Sequence, residues 1–233
     1  VAASGDVPLS GAVFIYKYGQ GDWPKLGKQI RGSAHGDEFG CSVSLSSDGN
    51  RVGIGARSSS SMGTRNGSVK IYQFNPIKVD WEQLGSTING LESEDRSGWS
   101  VSFSGNGHRV AVGAPRGGIS TSTNEDKPGS VTLYDYSELE GNWLQLGQTL
   151  YGPSPDSLAG SSVSLSHDGD HVIIGVLRSM NSNFVKTGHA EVHHYTKTTP
   201  GNGMWKQIGE NIEGLTLGDQ VGQSVSISSD GFR

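Results

Sequence analysis

Apolar residues along this chain alternate with polar ones in short runs, and each run ends at glycine, asparagine or aspartate. A period of two marks a half-buried strand, because successive side chains of a strand point to opposite faces. No stretch holds the 3.6-residue spacing of an amphipathic helix for long. The runs also return four times. Trp23-x-x-Leu26-Gly27 recurs as Trp81-x-x-Leu84-Gly85, Trp143-x-x-Leu146-Gly147 and Trp205-x-x-Ile208-Gly209, at intervals of 58, 62 and 62 residues. A block Gly40-x-Ser42-Val43-Ser44 follows, with counterparts opening at Gly98, Gly160 and Gly222. Next come Asp48-Gly49, Asn106-Gly107, Asp168-Gly169 and Asp230-Gly231, the strongest short-range signal for a hairpin. β-Branched runs such as Arg51-Val52-Gly53-Ile54-Gly55 follow these turns. The last block is Gly11-Ala12-Val13-Phe14-Ile15-Tyr16, with relatives at Gly67, Gly129 and Gly188.

Each copy thus holds four strands: A (Gly-x-Ser-Val-Ser), B (Arg-Val-x-Ile-Gly), C (Gly-x-Val-x-Ile-Tyr) and D (Trp-x-x-Leu-Gly). Four antiparallel strands in roughly 60 residues is the pattern of a propeller blade. The fold class expected is all-β, a β-propeller of four-stranded antiparallel blades. One domain over 1–233 divides into repeats near 1–39 with 222–233, 40–97, 98–159 and 160–221. Ser228–Arg233 leads into Val1 as smoothly as Ser46 leads to Val52, so Gly222–Ser228 is expected to pair with Val1–Gly5 in one shared blade. A closed four-bladed ring and a slice of a larger propeller both fit, and a solenoid is the structural alternative.

Composition then narrows the function. The chain has 36 glycines, 34 serines and 8 prolines among 233 residues, a mixture that without a period would read as disorder. No apolar run approaches the ~20 residues of a membrane span, so no membrane insertion is expected. A net charge of −5 without a basic cluster argues against nucleic acid as a partner. One cysteine, Cys41, excludes an internal disulfide or a thiolate metal cage, and is expected to be small and buried.

Phe39-Gly40-x-Ser42-Val43, Asp48-Gly49, Val110-Ala111-Val112-Gly113-Ala114-Pro115 and Gly129-Ser130-Val131 resemble FG-GAP repeats, those of the integrin α-subunit propeller. The resemblance covers the whole chain, although Ser97-Gly98, Ala159-Gly160 and Val221-Gly222 depart from its spelling. It implies a secreted or cell-surface, non-catalytic binding or scaffold module in cell adhesion. Its partners would be proteins or glycans, with self-assembly into a filament or wall layer as a further option. Calcium-binding members carry Asp-x-Asp-x-Asp-Gly loops between strands A and B. Here Asp48, Asn106, Asp168 with Asp170, and Asp230 supply too few carboxylates for the six to eight oxygens calcium takes. No cofactor is expected, calcium being open only through these degenerate loops.

Antiparallel order places the D–A and B–C connections at one end of every blade. The B–C loops Arg57–Asn66, Arg116–Pro128 and Arg178–Thr187 differ most between copies, as binding loops on a rigid frame do. Trp99, Arg57, Arg116 and Arg178 are the candidate ligand-binding residues. Asp37, Asp95 and Asp219 stand three residues before a strand A glycine and are candidates for a cation at a channel mouth. The competing reading is that each closes its own turn. Asn66-Gly67-Ser68 is a glycosylation sequon, with Asn66 the candidate acceptor. His189, Glu191 and His193 alternate along one strand C and present metal-ligand side chains to one face, yet His193 takes the slot of Tyr16, Tyr72 and Tyr134, so a packed or solvated face is expected there rather than a metal site. No Ser/His/Asp triad, phosphate cradle or acid pair is legible, so no catalysis is expected. The rival reading is an enzyme that uses the central channel, with the aspartates as its acid or metal site.

Overall fold

In the computed structural model, residues 2–3, 10–118, 127–183, 185–199 and 202–233 are described. They form four antiparallel sheets. The first holds β1 (Ala2–Ala3), β2 (Ala12–Val13) and β3 (Ile30–Arg31). The second holds β4 (Phe39–Leu45), β5 (Arg51–Ala56), β6 (Ser68–Asn75), β7 (Asp80–Gln83) and β8 (Ile88–Asn89). In the third lie β9 (Ser100–Phe103), β10 (Arg109–Ala114), β11 (Ser130–Ser137), β12 (Asn142–Gln145) and β13 (Leu150–Tyr151). The fourth comprises β14 (Ala159–Leu165), β15 (His171–Val176), β16 (His189–Thr199), β17 (Asn202–Gln207) and β18 (Ile212–Glu213). In the second, third and fourth sheets, strands A to D of the sequence pair in chain order. The A–B hairpins close on themselves: Asp48 Oδ1 accepts from Ser46 Oγ at 2.5 Å and from Asn50 N at 3.0 Å, and Asp168 repeats both bonds. These carboxylates therefore serve their own turns.

The apolar core is divided into three clusters, one in each seam between neighbouring sheets. Every seam uses related parts. The Trp81 indole N–H donates to Leu26 O at 2.8 Å, Trp143 to Leu84 O at 2.9 Å and Trp205 to Leu146 O at 3.0 Å. Each ring also lies over the glycine that follows its acceptor residue. A Cβ on Gly27, Gly85 or Gly147 would come within 2.9, 2.9 or 3.0 Å of the indole, so no side chain fits there. Small serines bridge the inner strands. Ser42, Ser100 and Ser162 hydroxyls donate to Gly98 O, Gly160 O and Gly222 O at 2.7, 2.8 and 2.7 Å. Ser44, Ser102 and Ser164 hydroxyls accept from the N–H groups of Phe103, Leu165 and Ile227 at 3.0, 3.0 and 3.2 Å. The alternation of Val-Leu with Ser-Ser in strand A thus gives each sheet an apolar face and a face of hydroxyls for its neighbour. Ser102→Ala should leave the Leu165 N–H without its partner at a cost of about 1–3 kcal/mol, read as a lower urea midpoint.

The last segment, 222–233, packs on the fourth sheet through the Ser162 and Ser164 bonds. Its expected pairing with the N-terminus is not found. Ala2–Ala3 pair with Ala12–Val13, residues 222–228 form no ladder, and Val1, Ser4 and Gly5 lie outside the described residues. Cys41 is exposed rather than buried, although its thiol still reaches Gly98 O of the next copy at 3.5 Å. No helix among the described residues is long and apolar enough to cross a membrane.

Candidate active site

The third strand of each copy presents one face to the preceding sheet. On β16 that face carries His189, Glu191 and His193, whose cross-strand partners Val176, Ile174 and Val172 pack against Val131 and Leu133 of the third sheet. The same positions on β11 are Ser130, Thr132 and Tyr134, and on β6 Ser68, Lys70 and Tyr72. Between the second and third sheets this face opens into a groove lined by Asn89, Glu92, Asp95, Thr132, Tyr134 and Tyr151 among others. Between the third and fourth sheets the equivalent face holds a chain of acid–base groups.

That chain begins on the B–C loop. Ser179 Oγ is hydrogen-bonded to His189 Nδ1. His189 Nε2 lies 2.7 Å from Glu191 Oε1, and His193 Nε2 lies 2.9 Å from Glu191 Oε2. An ionised carboxylate only accepts, so both imidazoles donate through Nε2. The Nδ1 of His189 is then the acceptor for the Ser179 hydroxyl, and the Nδ1 of His193 is a buried lone pair with no protein partner. Ser179 and His189 are each 1% exposed. Burial alone would push the Glu191 carboxyl up, but the hydrogen bonds from His189 and His193, with their electrostatic attraction, outweigh it and hold it at about 2, against an ordinary 4.5. A depressed carboxyl stabilises the fold in full above pH 4.5 and loses that contribution as pH falls toward 2. The loss amounts to about 3 kcal/mol. Glu191→Gln should flatten stability over that interval, as read by urea unfolding at several pH values. An unchanged acid loss in the variant would assign the effect to other groups.

Sequence reasoning missed this constellation, since Ser179 stands ten residues before His189 across a loop. The available signal was departure from the repeat. The slots of Ser179 and His189 hold Gly117 and Ser130 in the third sheet, and Ser59 and Ser68 in the second. Only the fourth combines a hydroxyl, an imidazole and a carboxylate.

The candidates on the D–A and B–C loops are placed as follows. Trp99 is half-buried with the Arg57 guanidinium 4.4 Å and the Arg96 guanidinium 6.0 Å from its ring centre. Arg116 is exposed beside Arg96, and Arg178 pairs with Asp156 at 3.0 Å. The three aspartates do not converge. Asp37 accepts from Ala34 N at 2.9 Å, Asp95 from Glu92 N at 2.8 Å, and Asp219 from Leu215 N and Thr216 N at 2.8 Å. Each closes its own turn, and the cation beside Asp95 is the Lys127 ammonium, at 2.7 Å. Among the described residues no three His, Cys, Asp or Glu side chains are arranged to hold a metal. Asn66 is 0% exposed and donates to Gly90 O at 3.2 Å, so it lacks the exposure a glycan acceptor needs.

No family model and no curated protein sequence matches the chain. Solved structures do. A protein provisionally named as a 6-phosphogluconolactonase of Bacteroides uniformis matches with a TM-score of 0.58 at 15% identity, over 99% of this chain and 60% of that one. The periplasmic gluconolactonase of Pseudomonas aeruginosa gives 0.58 at 18% over 92% and 52%. Kuenenia stuttgartiensis hydrazine synthase gives 0.54 at 16% over 96% and 62%. The chain therefore spans little more than half the length of these structures. At such identities the likeness establishes the fold alone, a propeller type built of antiparallel sheets. It also overturns the FG-GAP resemblance: the integrin-like, adhesive, glycoprotein reading gives way to neighbours named as lactonases. The non-catalytic module and its protein or glycan partners fall with it, since the Bacteroides and Pseudomonas neighbours are named as lactonases.

Proposed function

We propose that this chain contributes the acyl-transfer site of a lactonase-type hydrolase, opening a small sugar lactone to its hydroxy acid. The observation that carries the reading is the hydrogen-bonded sequence Ser179–His189–Glu191, a nucleophile, base and orienting carboxylate in order. The two ring nitrogens are used in the reverse of the commonest arrangement, which leaves their roles intact. The Ser179 oxygen adds to the lactone carbonyl while its proton passes to His189 Nδ1. The ring C–O bond then breaks, and the departing ring oxygen takes that proton from His189. Water, deprotonated by the same nitrogen, then adds to the acyl carbon; the bond to Ser179 Oγ breaks, Oγ takes the proton back from His189, and the sugar acid is released. Glu191 stays ionised throughout and stabilises the imidazolium. Admission of substrate requires the loop above Ser179 to lift, and that loop is held by the Met180–Lys186 bridge and the bond from Asn181 Nδ2 to Gly214 O at 3.3 Å.

The test is base consumption by purified chain supplied with glucono-1,5-lactone near pH 7, where acid release above the uncatalysed rate is expected. A rate equal to buffer alone would refute the reading. We also read the four sheets as consecutive blades, supported by the seam parts that recur from each sheet to the next. The periplasmic neighbour supports a location outside the cytoplasm, to be checked by fractionating cells that make the protein.

A further inference from the structure

The chain is acidic overall, yet four guanidinium groups gather on the face of the D–A and B–C loops. Arg57 and Arg65 arise from one B–C loop, Arg96 from the following D–A turn and Arg116 from the next B–C loop. Two of the four are neutralised. Arg57 holds Glu38 at 2.6 Å, and Arg65 holds Glu94 at 3.1 Å. Arg96 and Arg116 have no carboxylate partner among the described residues. Arg96 is half-buried, and its Nε is fully shielded with nothing to receive its hydrogen. Burial, then Arg116, Arg65 and Arg57, hold the Arg96 pKa below the ordinary guanidinium value. Like charges drawn together cost free energy that a bound anion would return.

The backbone fixes this arrangement in advance. Arg96 sits in the left-handed region at φ 55°, as do Glu38, Leu158 and Gln220 at the matching place in the other copies. Its N–H donates to Arg65 O at 3.2 Å, and its carbonyl accepts from Trp99 N at 3.2 Å. Trp99 lies against two of the guanidiniums and so keeps their planes from turning freely. Only this copy places arginine at that turn, where the others hold Glu38, Leu158 and Gln220.

We infer that Arg96, Arg116 and Arg57, backed by Trp99, form a binding site for a tetrahedral oxyanion: phosphate, free or carried as a phosphate monoester. Guanidinium forks match phosphate oxygens two at a time, and Arg96 and Arg116 keep their forks free of carboxylate partners among the described residues. This site does not depend on the hydrolase reading. A chain that binds phosphate without opening lactones would retain it, and a lactonase indifferent to phosphate would lack it.

The experiment titrates the purified chain with inorganic phosphate and with glucose 6-phosphate, at ionic strength held constant with potassium chloride. Tryptophan fluorescence and melting temperature are the readouts. A saturable response beyond chloride is expected, weakened at least about tenfold by Arg96→Gln. Arg116→Gln, at an exposed side chain whose loss does not threaten folding, should also weaken it, and Arg178→Gln should leave it unchanged. Equal affinity for both ligands identifies the free ion as sufficient, and tighter binding of the ester identifies a sugar phosphate. No response beyond chloride, or one that survives both Arg96→Gln and Arg116→Gln, overturns the site.

Discussion

Replacing Ser179 by alanine is expected to reduce lactone turnover by about a thousandfold or more, the size of loss seen when a covalent nucleophile is removed from a triad. The expectation follows from position rather than from serine content, which is high throughout the chain. Ser179 has its hydroxyl on an imidazole nitrogen whose ring is fixed by an ionised carboxylate. Ser59 occupies the same slot on the second sheet, where the residue at the His189 position is Ser68. Ser59→Ala should therefore leave turnover unaltered. Removing the Ser179 hydroxyl also leaves His189 Nδ1 unsatisfied in a buried site, so circular dichroism and urea unfolding must accompany the rate. His189→Gln should match Ser179→Ala in rate, since neither group acts without the other. Turnover persisting in the folded Ser179→Ala protein would remove the serine from the mechanism.

Trp143→Ala should lower stability by about 3–5 kcal/mol, near the upper end for a single core substitution. Trp143 is 6% exposed, lies 5.2 Å from Tyr136 and 6.0 Å from Phe103 between ring centres, and donates to Leu84 O. Truncation opens a cavity over Gly85 and strands a carbonyl inside the seam. Trp143→Phe would refill much of the volume without the N–H, and about 1–2 kcal/mol of the loss should remain. The contrast is Trp23, at the same place in the first copy but 62% exposed. Trp23→Ala should cost under about 1 kcal/mol. Equal costs at the two positions, from chemical unfolding, would mean that the seam contact contributes little.

Strand order, hairpin turns and the all-β class were legible because each rests on local chemistry repeated four times. Asp-Gly and Asn-Gly fall where strands reverse, and apolar residues alternate with Ser-Ser on β9 and β14, where Val101, Phe103, Val163 and Leu165 are buried, though Val43 and Leu45 on β4 stay exposed. The seams were less so. Alternation says that Ser42 and Ser44 face away from Val43 and Leu45, but not that a neighbouring glycine carbonyl and an amide N–H await them. The Ser179–His189–Glu191 chain was obscured for a related reason. In a chain with 34 serines its signal was a departure from the repeat, and nothing local says that a loop brings Ser179 over His189. Asn66 shows the opposite error, a surface motif read at a residue that the B–C turn folds inward. FG-GAP-like spelling reflects the glycines and small residues that crowded inner strands require, and that requirement belongs to the architecture more than to one family.

The indole–carbonyl seam has a consequence for how the molecule opens. Each sheet is fastened mainly to its neighbours in sequence, so cooperativity along the chain resembles that of a row of linked units more than that of one undivided core. Amide exchange should then be slowest in β5, β10 and β15, which have a ladder on each side. It should be fastest in the first sheet, whose strands are two residues long and whose tryptophan lies outside any seam. Ser179 lies at the seam between the third and fourth sheets, so under the hydrolase proposal the loop over it is expected to open while the second and third sheets stay closed.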